Sequence, residues 1–298
     1  MTVADAGEQS EALTSVLELL RLERTGHDTC SGTSLEHLSG RVYGGQVLAQ
    51  SLIAAAATVS DAGLPAERLP HSVHGYFLRP GKLDRPITFE VERMRDGGSF
   101  SARRTHAIQD GRPILSMITS FQERQPGLDH AEDPPEVPGP EGLESSADLF
   151  SRYDHPAASF YARTGAFDIR HVEGSIYVPR GHSPLSRQAL WMRSRGRVEA
   201  DQLTHRALLA YACDQVMLEP VLRRHELVWT SPGLSVASLD HAMWWHRDVR
   251  VDEWLLYVQD APSAQGGRGL GLAKVYDRAG ALVATLAQEG MVRVHEGS

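Results

Sequence analysis

GGQVLAQSLIAAAATV, Gly44 to Val59, carries apolar or small residues on almost every face of a helical wheel. A helix lying on a protein surface keeps a polar stripe, whereas one that is apolar all round is surrounded by protein. The stretch therefore predicts a helix at the centre of its unit. Immediately after it the period changes. Residues 71–79, 86–94, 99–109 and 113–123 read as strands, rich in β-branched and aromatic residues. The turn signals Pro80-Gly81, Asp96-Gly97-Gly98 and Asp110-Gly111 separate them. Short turns between consecutive strands favour an antiparallel sheet. One buried helix followed by such a sheet is an α+β unit in which the sheet curls around the helix.

Upstream, residues 10–23 predict a further helix, with Leu13, Val16, Leu17 and Leu20 at helical spacing. Downstream, residues 125–145 hold Pro126, Pro134, Pro135, Pro138 and Pro140 among acidic residues and few apolar anchors. That composition reads as a solvated, semi-extended linker. Short helical pieces are expected between residues 147 and 163, and a strand at 188–195. Then the first pattern returns. Residues 202–221 read as one largely apolar helix, followed by strands at 234–246, 253–260, 267–276 and 281–292. A single shift of 168 residues lays Tyr76-Phe77 on Trp244-Trp245 and Arg79 on Arg247. The same shift sets Gln46 opposite Asp214 and Ser120 opposite Gln288. The expected organisation is a unit at 1–124, a linker at 125–145 and a second unit at 146–298. Such a repeat implies a fused pseudo-dimer with its site at the seam.

The chain has 298 residues and a formal net charge of -8. That sign argues against general nucleic-acid binding, which needs a basic face. Two cysteines, Cys30 and Cys213, make a disulfide framework improbable and point to a reducing compartment. The N-terminal residues are acidic and polar, unlike a signal peptide. No apolar run reaches the ~18–20 residues of a membrane span. A soluble, cytoplasmic protein is the expectation.

Asp214, in YACDQVM, stands out because a carboxylate inside an apolar helix is costly to bury alone. Taken by itself it could equally face solvent or bond a backbone group. Ser238 opens a later strand, and Gln288 interrupts the apolar run ALVATLAQEG. Gln288 alone could sit at a sheet edge or point outward. A carboxylate, a hydroxyl and an amide together can hold one water and take its proton. Other constellations fit less well. His241 and His246 are five apart on a strand and face opposite ways, so they cannot share a zinc ion. GGRGLG, Gly266 to Gly271, precedes a strand and not a helix, and reads as a turn. No G-x-S-x-G elbow occurs. Cys213 has no flanking base to stabilise a thiolate and reads as a core residue. His74 is open between a catalytic base and a packed histidine on a sheet face.

RVYGGQVLAQSL (Arg41 to Leu52), HSVHGYFLRPG (His71 to Gly81), SLDHAMWWHR (Ser238 to Arg247) and LVATLAQEGMVR (Leu282 to Arg293) resemble the type II acyl-CoA thioesterases. The four motifs occur in that family's order and span nearly the whole chain. The resemblance implies a double hotdog: two long central helices, each wrapped by an antiparallel sheet. It implies hydrolysis of fatty acyl-CoA to free acid and coenzyme A, with no metal or cofactor. It places Asp214, Ser238 and Gln288 around the attacking water, Ser238 standing where many members have Thr. Because the first half carries Gln46 where the second has Asp214, one constellation per chain is expected. Amides at the Gly44-Gly45 helix start are the candidate oxyanion donors. Arg79, Arg103, Arg180, Arg247 and Arg268 are candidates for the coenzyme phosphates. A homodimer or homotetramer is expected, because hotdog sheets leave edges and faces to cover. The rival readings are an enoyl-thioester hydratase, which would need Asp240 and His241 facing one substrate, and a non-catalytic acyl-CoA-binding protein.

Overall fold

The computed structural model describes residues 9–64, 67–177 and 184–295. Its first half runs α1 (Glu11–Leu19), β1 (Glu23–Arg24), β2 (Thr29–Gly32), α2 (Gly44–Ser60), β3 (Arg68–Phe77), β4 (Ile87–Asp96), β5 (Phe100–Gln109) and β6 (Arg112–Glu123). A stretch without regular structure leads to a short 3-10 turn at Pro140–Gly142. The second half runs α3 (Ser146–Phe150), α4 (Pro156–Thr164), β7 (Phe167–His171), β8 (Arg187–Ser194), α5 (Gln202–Cys213) and α6 (Glu219–Arg224). It closes with β9 (Leu234–Ser238), β10 (Asp240–Trp245), β11 (Leu255–Gln265), β12 (Arg268–Tyr276) and β13 (Leu282–Val294).

The expectation of a central helix holds. α2 buries Val47, Leu48, Leu52 and Ala54 in one core with Ile87, Phe89 and Val91 of β4 and Leu115 and Met117 of β6. The hairpins form where the turn residues allow it. Asp110 and Gly111 (φ 50° and 69°) join β5 to β6, and Gly266 and Gly267 (φ 59° and 75°) join β11 to β12. Two consecutive left-handed residues match the twist of the strands they connect. GGRGLG is thus a hairpin turn entering a strand.

The sheet departs from the expectation of one per half. Among the described residues thirteen strands form a single antiparallel sheet, because β3 pairs with β10 across the seam. His74 faces Ala242 there, and these two are repeat mates, 168 positions apart. An approximate twofold axis therefore passes between them. Both halves also carry a bulge at the same repeat position. Between Pro70↔Phe121 and Ser72↔Ser120 the extra residue is His71. Between Ser238↔Gly290 and Ala242↔Ala287 the register again slips by one, around Leu239. Bulges turn side chains and bend strands, and often lie beside active sites.

The second central helix is also not the continuous rod of 202–221. It starts at Gln202, ten positions earlier than the repeat of Gly44 requires, and stops at Cys213. Pro220 explains the interruption, since it has no N–H to donate to the carbonyl four residues back. That carbonyl, of Val216, accepts instead from Glu219 N–H at 3.2 Å and from Gln259 Nε2 at 3.1 Å. Residues 214–218 form a turn seated on the sheet. Glycines make the seat: a Cβ at Gly271 would fall on the Met217 carbonyl oxygen, one at Gly290 on the Leu218 side chain, and one at Gly269 on Val221. Gly271→Ala must push backbone away from backbone. We expect it to cost about 1–3 kcal/mol, read as a lowered urea midpoint with unchanged m-value.

Candidate active site

Ending α5 at Cys213 puts Asp214 at the helix C-cap, where the turn aims its side chain toward the seam. Facing it is the N-terminus of α2. Gly45 N–H donates to Asp214 Oδ2 at 2.8 Å. A carboxylate at a helix N-terminus meets unpaired amide hydrogens and the positive end of the dipole. The approach needs glycine: a Cβ at Gly44 would crowd Asp214 Oδ2 and the Phe77 ring, and one at Gly45 would fall on the Tyr211 carbonyl. Tyr43, the residue before the helix, donates its hydroxyl to that carbonyl at 2.7 Å. Burial, with Asp214 nearby, raises the Tyr43 phenol well above its usual range.

The other carboxylate oxygen gathers the second half. Asp214 Oδ1 accepts from Ser238 Oγ at 3.0 Å and from Gln288 Nε2 at 2.9 Å. The second Gln288 amide hydrogen is directed to Ser238 Oγ at 2.8 Å. Ser238 ends β9 at the bulge, and Gln288 is a fully buried residue of β13. The three residues singled out in the sequence are therefore in mutual contact. The repeat register corrects one pairing. Ala242↔Ala287 corresponds to His74↔Ile118, so Gln288 maps onto Thr119 and not onto Ser120. The shift of 168 that sets Gln46 opposite Asp214 also relates Tyr43 to Tyr211, whose rings meet edge to face at 5.0 Å across the seam. Gln46 is buried and bonds the backbone of Leu35 and Thr33. Where the second half has Ser238 the first has Pro70.

A cavity of about 680 Å³ opens onto this cluster and draws its walls from both halves. Val42, Gly44, Phe77, Arg79 and Ile114 come from the first half; Phe150, Phe160, Tyr161, Phe167 and Tyr177 give the second half's side an aromatic surface. Of the arginines named from the sequence, Arg79 lines the cavity. Arg103 is fully buried against Asp96 and Thr58, Arg247 pairs with Asp129, and Arg268 with Glu289. Arg180 lies outside the described residues. Arg41, Arg163 and Arg195 also line the cavity and were unforeseen, Arg163 from the last turn of α4 and the other two from connections between elements. His74 is exposed and edge-on to Trp244, on the outer face of the sheet, away from Asp214. Cys213 is buried, and burial beside Asp214 pushes its thiol well up, as a core residue requires. Among the described residues no cluster of His, Cys, Asp and Glu could hold a metal ion. None of their helices is long and apolar enough to cross a membrane.

His241 was missed in its actual setting. It is buried, and its Nδ1 lies 2.7 Å from Gln288 Oε1. Only the strand register, which brings Ala242 opposite Ala287, shows that the two side chains meet.

The family model described as the acyl-CoA thioesterase N-terminal domain matches residues 34–122, and that of the C-terminal domain matches residues 131–292. The chain is 36% identical to human acyl-coenzyme A thioesterase 8, over 97% of this chain and 93% of that protein. It superposes on the crystal structure of an acyl-CoA thioesterase II from Mycobacterium marinum with a TM-score of 0.76 and 37% identity, covering 95% of this chain and 99% of that one. A hotdog-fold protein of unknown function from Alicyclobacillus acidocaldarius shares the fold at 19% identity, with a TM-score of 0.76 over 94% of this chain and 98% of that one.

Proposed function

The chain belongs to the acyl-CoA thioesterase family of thioester hydrolases, with the double hotdog fold, and we propose that it hydrolyses fatty acyl-CoA with a water held by Asp214, Ser238 and Gln288. The observation that carries the assignment of residues is the convergence of Ser238 and Gln288 on one oxygen of Asp214, at the edge of a cavity built from both halves.

In this reading the water takes up position between the three side chains. Asp214 removes its proton as oxygen attacks the thioester carbon, while Gln288 and Ser238 fix its direction. The carbonyl oxygen becomes an anion and needs a donor. Gly45 N–H is engaged by Asp214 Oδ2, which leaves the amide of Gly44 at the same helix start for that task. The carbon–sulfur bond then breaks. Coenzyme A leaves as thiolate and receives the proton from Asp214, so water and thioester give acid and thiol. The aromatic wall of Phe150, Phe160, Tyr161 and Tyr177 suits the acyl chain. Pro70 and Thr119 in the first half cannot reproduce Ser238 and Gln288, so each chain carries one such site.

The hydratase reading finds no footing in the geometry. Asp240 Oδ1 accepts the Glu289 amide at 2.8 Å, whereas His241 bonds Gln288 in the interior. Incubation with palmitoyl-CoA and a thiol-reactive chromophore decides among the readings. We expect steady release of free coenzyme A. Loss of enoyl absorbance from an enoyl-CoA without thiol release would favour the hydratase, and binding without turnover would favour a carrier.

A further inference from the structure

A primary amide has two ends of nearly the same shape and opposite hydrogen-bonding character. Gln288 serves Asp214 and Ser238 only with its NH2 group toward them. Turned over, it would set Oε1 against the carboxylate oxygen that now accepts its hydrogen at 2.9 Å. Asp214 opposes that flip by repulsion, but something must also satisfy the amide oxygen, because Gln288 is fully buried. His241 Nδ1, at 2.7 Å, is the group that faces it.

We propose that His241 is a positioning residue: its Nδ1–H holds the Gln288 carboxamide in the one orientation that presents NH2 to Asp214, Ser238 and the attacking water. This rests on the reading of Gln288 as a ligand of that water.

The surroundings of His241 select the required tautomer. It is 1% exposed, and burial lowers its pKa from the usual histidine value despite the opposing influence of Asp214. A neutral ring carries one N–H. Placed on Nδ1 it meets Gln288 Oε1, and Nε2 is then an acceptor facing Cys213 Sγ at 3.6 Å. The thiol proton is retained, since burial also raises the Cys213 pKa, and Ala210 O at 3.3 Å is its other acceptor. Placed on Nε2, the proton would leave Nδ1 and Oε1 as two acceptors 2.7 Å apart. Donors and acceptors therefore match along the line from Cys213 through His241 and Gln288 to Asp214 in one arrangement only. His241 does not line the cavity itself; Gln288 links it to Asp214 and Ser238, which do.

The test uses His241→Leu, which removes the donor, and His241→Asn, whose side-chain NH2 falls near the place of Nδ1. Each is made in the full-length protein and again with Gln288→Ala. Losing one neutral hydrogen bond from an oriented group predicts a fall in kcat of about tenfold for His241→Leu, with KM little changed. His241→Asn is expected to recover most of the loss. With Gln288→Ala present, His241→Leu is expected to lower kcat no further. An equal fall in both backgrounds, or a fall that His241→Asn fails to recover while melting as the wild type does, overturns the proposal. If His241→Leu does not fold, His241→Asn with and without Gln288→Ala still gives the comparison, and an additive loss there overturns it. Wild-type kcat in Gln288→Ala itself would instead defeat the assignment of Gln288, an outcome distinct from either.

Discussion

Asp214→Asn is expected to fold and to bind acyl-CoA while kcat falls by about 10²–10⁴, the range lost with a general base. The two side chains have nearly the same shape, so neither a cavity nor a displaced helix can account for such a loss. The change is in protons. Asp214 accepts from three donors, Gly45 N–H on one oxygen and Ser238 and Gln288 on the other. An asparagine has one oxygen and must turn its NH2 toward one of these donors, so a stability loss of about 1 kcal/mol should accompany the substitution. If Asp214 served only to join α2 to the turn after α5, that modest destabilisation would be the entire effect. Thiol-release kinetics and thermal unfolding on one preparation separate the cases. Wild-type kcat in folded Asp214→Asn would defeat the assignment.

For Gln288→Ala the expected fall in kcat is roughly 10²-fold, the scale of a misplaced reacting group. The amide donates to both Asp214 and Ser238, so its removal loosens both. Ser238→Ala should cost less, because Gln288 still reaches the carboxylate. The informative variant is the double one. Residues serving a single water act as a unit, and Asp214→Asn with Gln288→Ala should be little slower than Asp214→Asn alone. Two independent losses that multiply would show that the residues do not share a task.

Several features of this molecule could be read from residues whose meaning is local. The all-apolar wheel of α2 needed no context to declare a buried helix, and Asp110-Gly111 declared its hairpin because few other pairs accept two left-handed conformations. Asp214, Ser238 and Gln288 were visible as polar residues in apolar surroundings. What stayed hidden depends on register and on contact between distant segments. The break after Cys213 needs both Pro220 and the glycine seat of Gly269, Gly271 and Gly290. The two-residue β1 and four-residue β2 are too short to show alternation. That β3 and β10 would join two sheets into one follows from edge pairing, which hydrophobic period does not encode. The Gly44-Gly45 start was recognised as a place for negative charge, but the charge that Gly45 meets is the protein's own carboxylate.

The pairing of β3 with β10 also sets a clock. Its partners lie far apart along the chain, as do Gly45 and Asp214, with 169 positions between them. Pairings of such long range close late, after the hairpins and helices within each half. During synthesis the first half emerges with its helix start ready and no acid to meet it, since domains fold in order as they leave the ribosome. Catalytic competence is thus expected to be the last property the molecule acquires. After dilution from denaturant, recovery of turnover should trail recovery of the helical circular-dichroism signal, and the lag between them measures the docking of one half on the other.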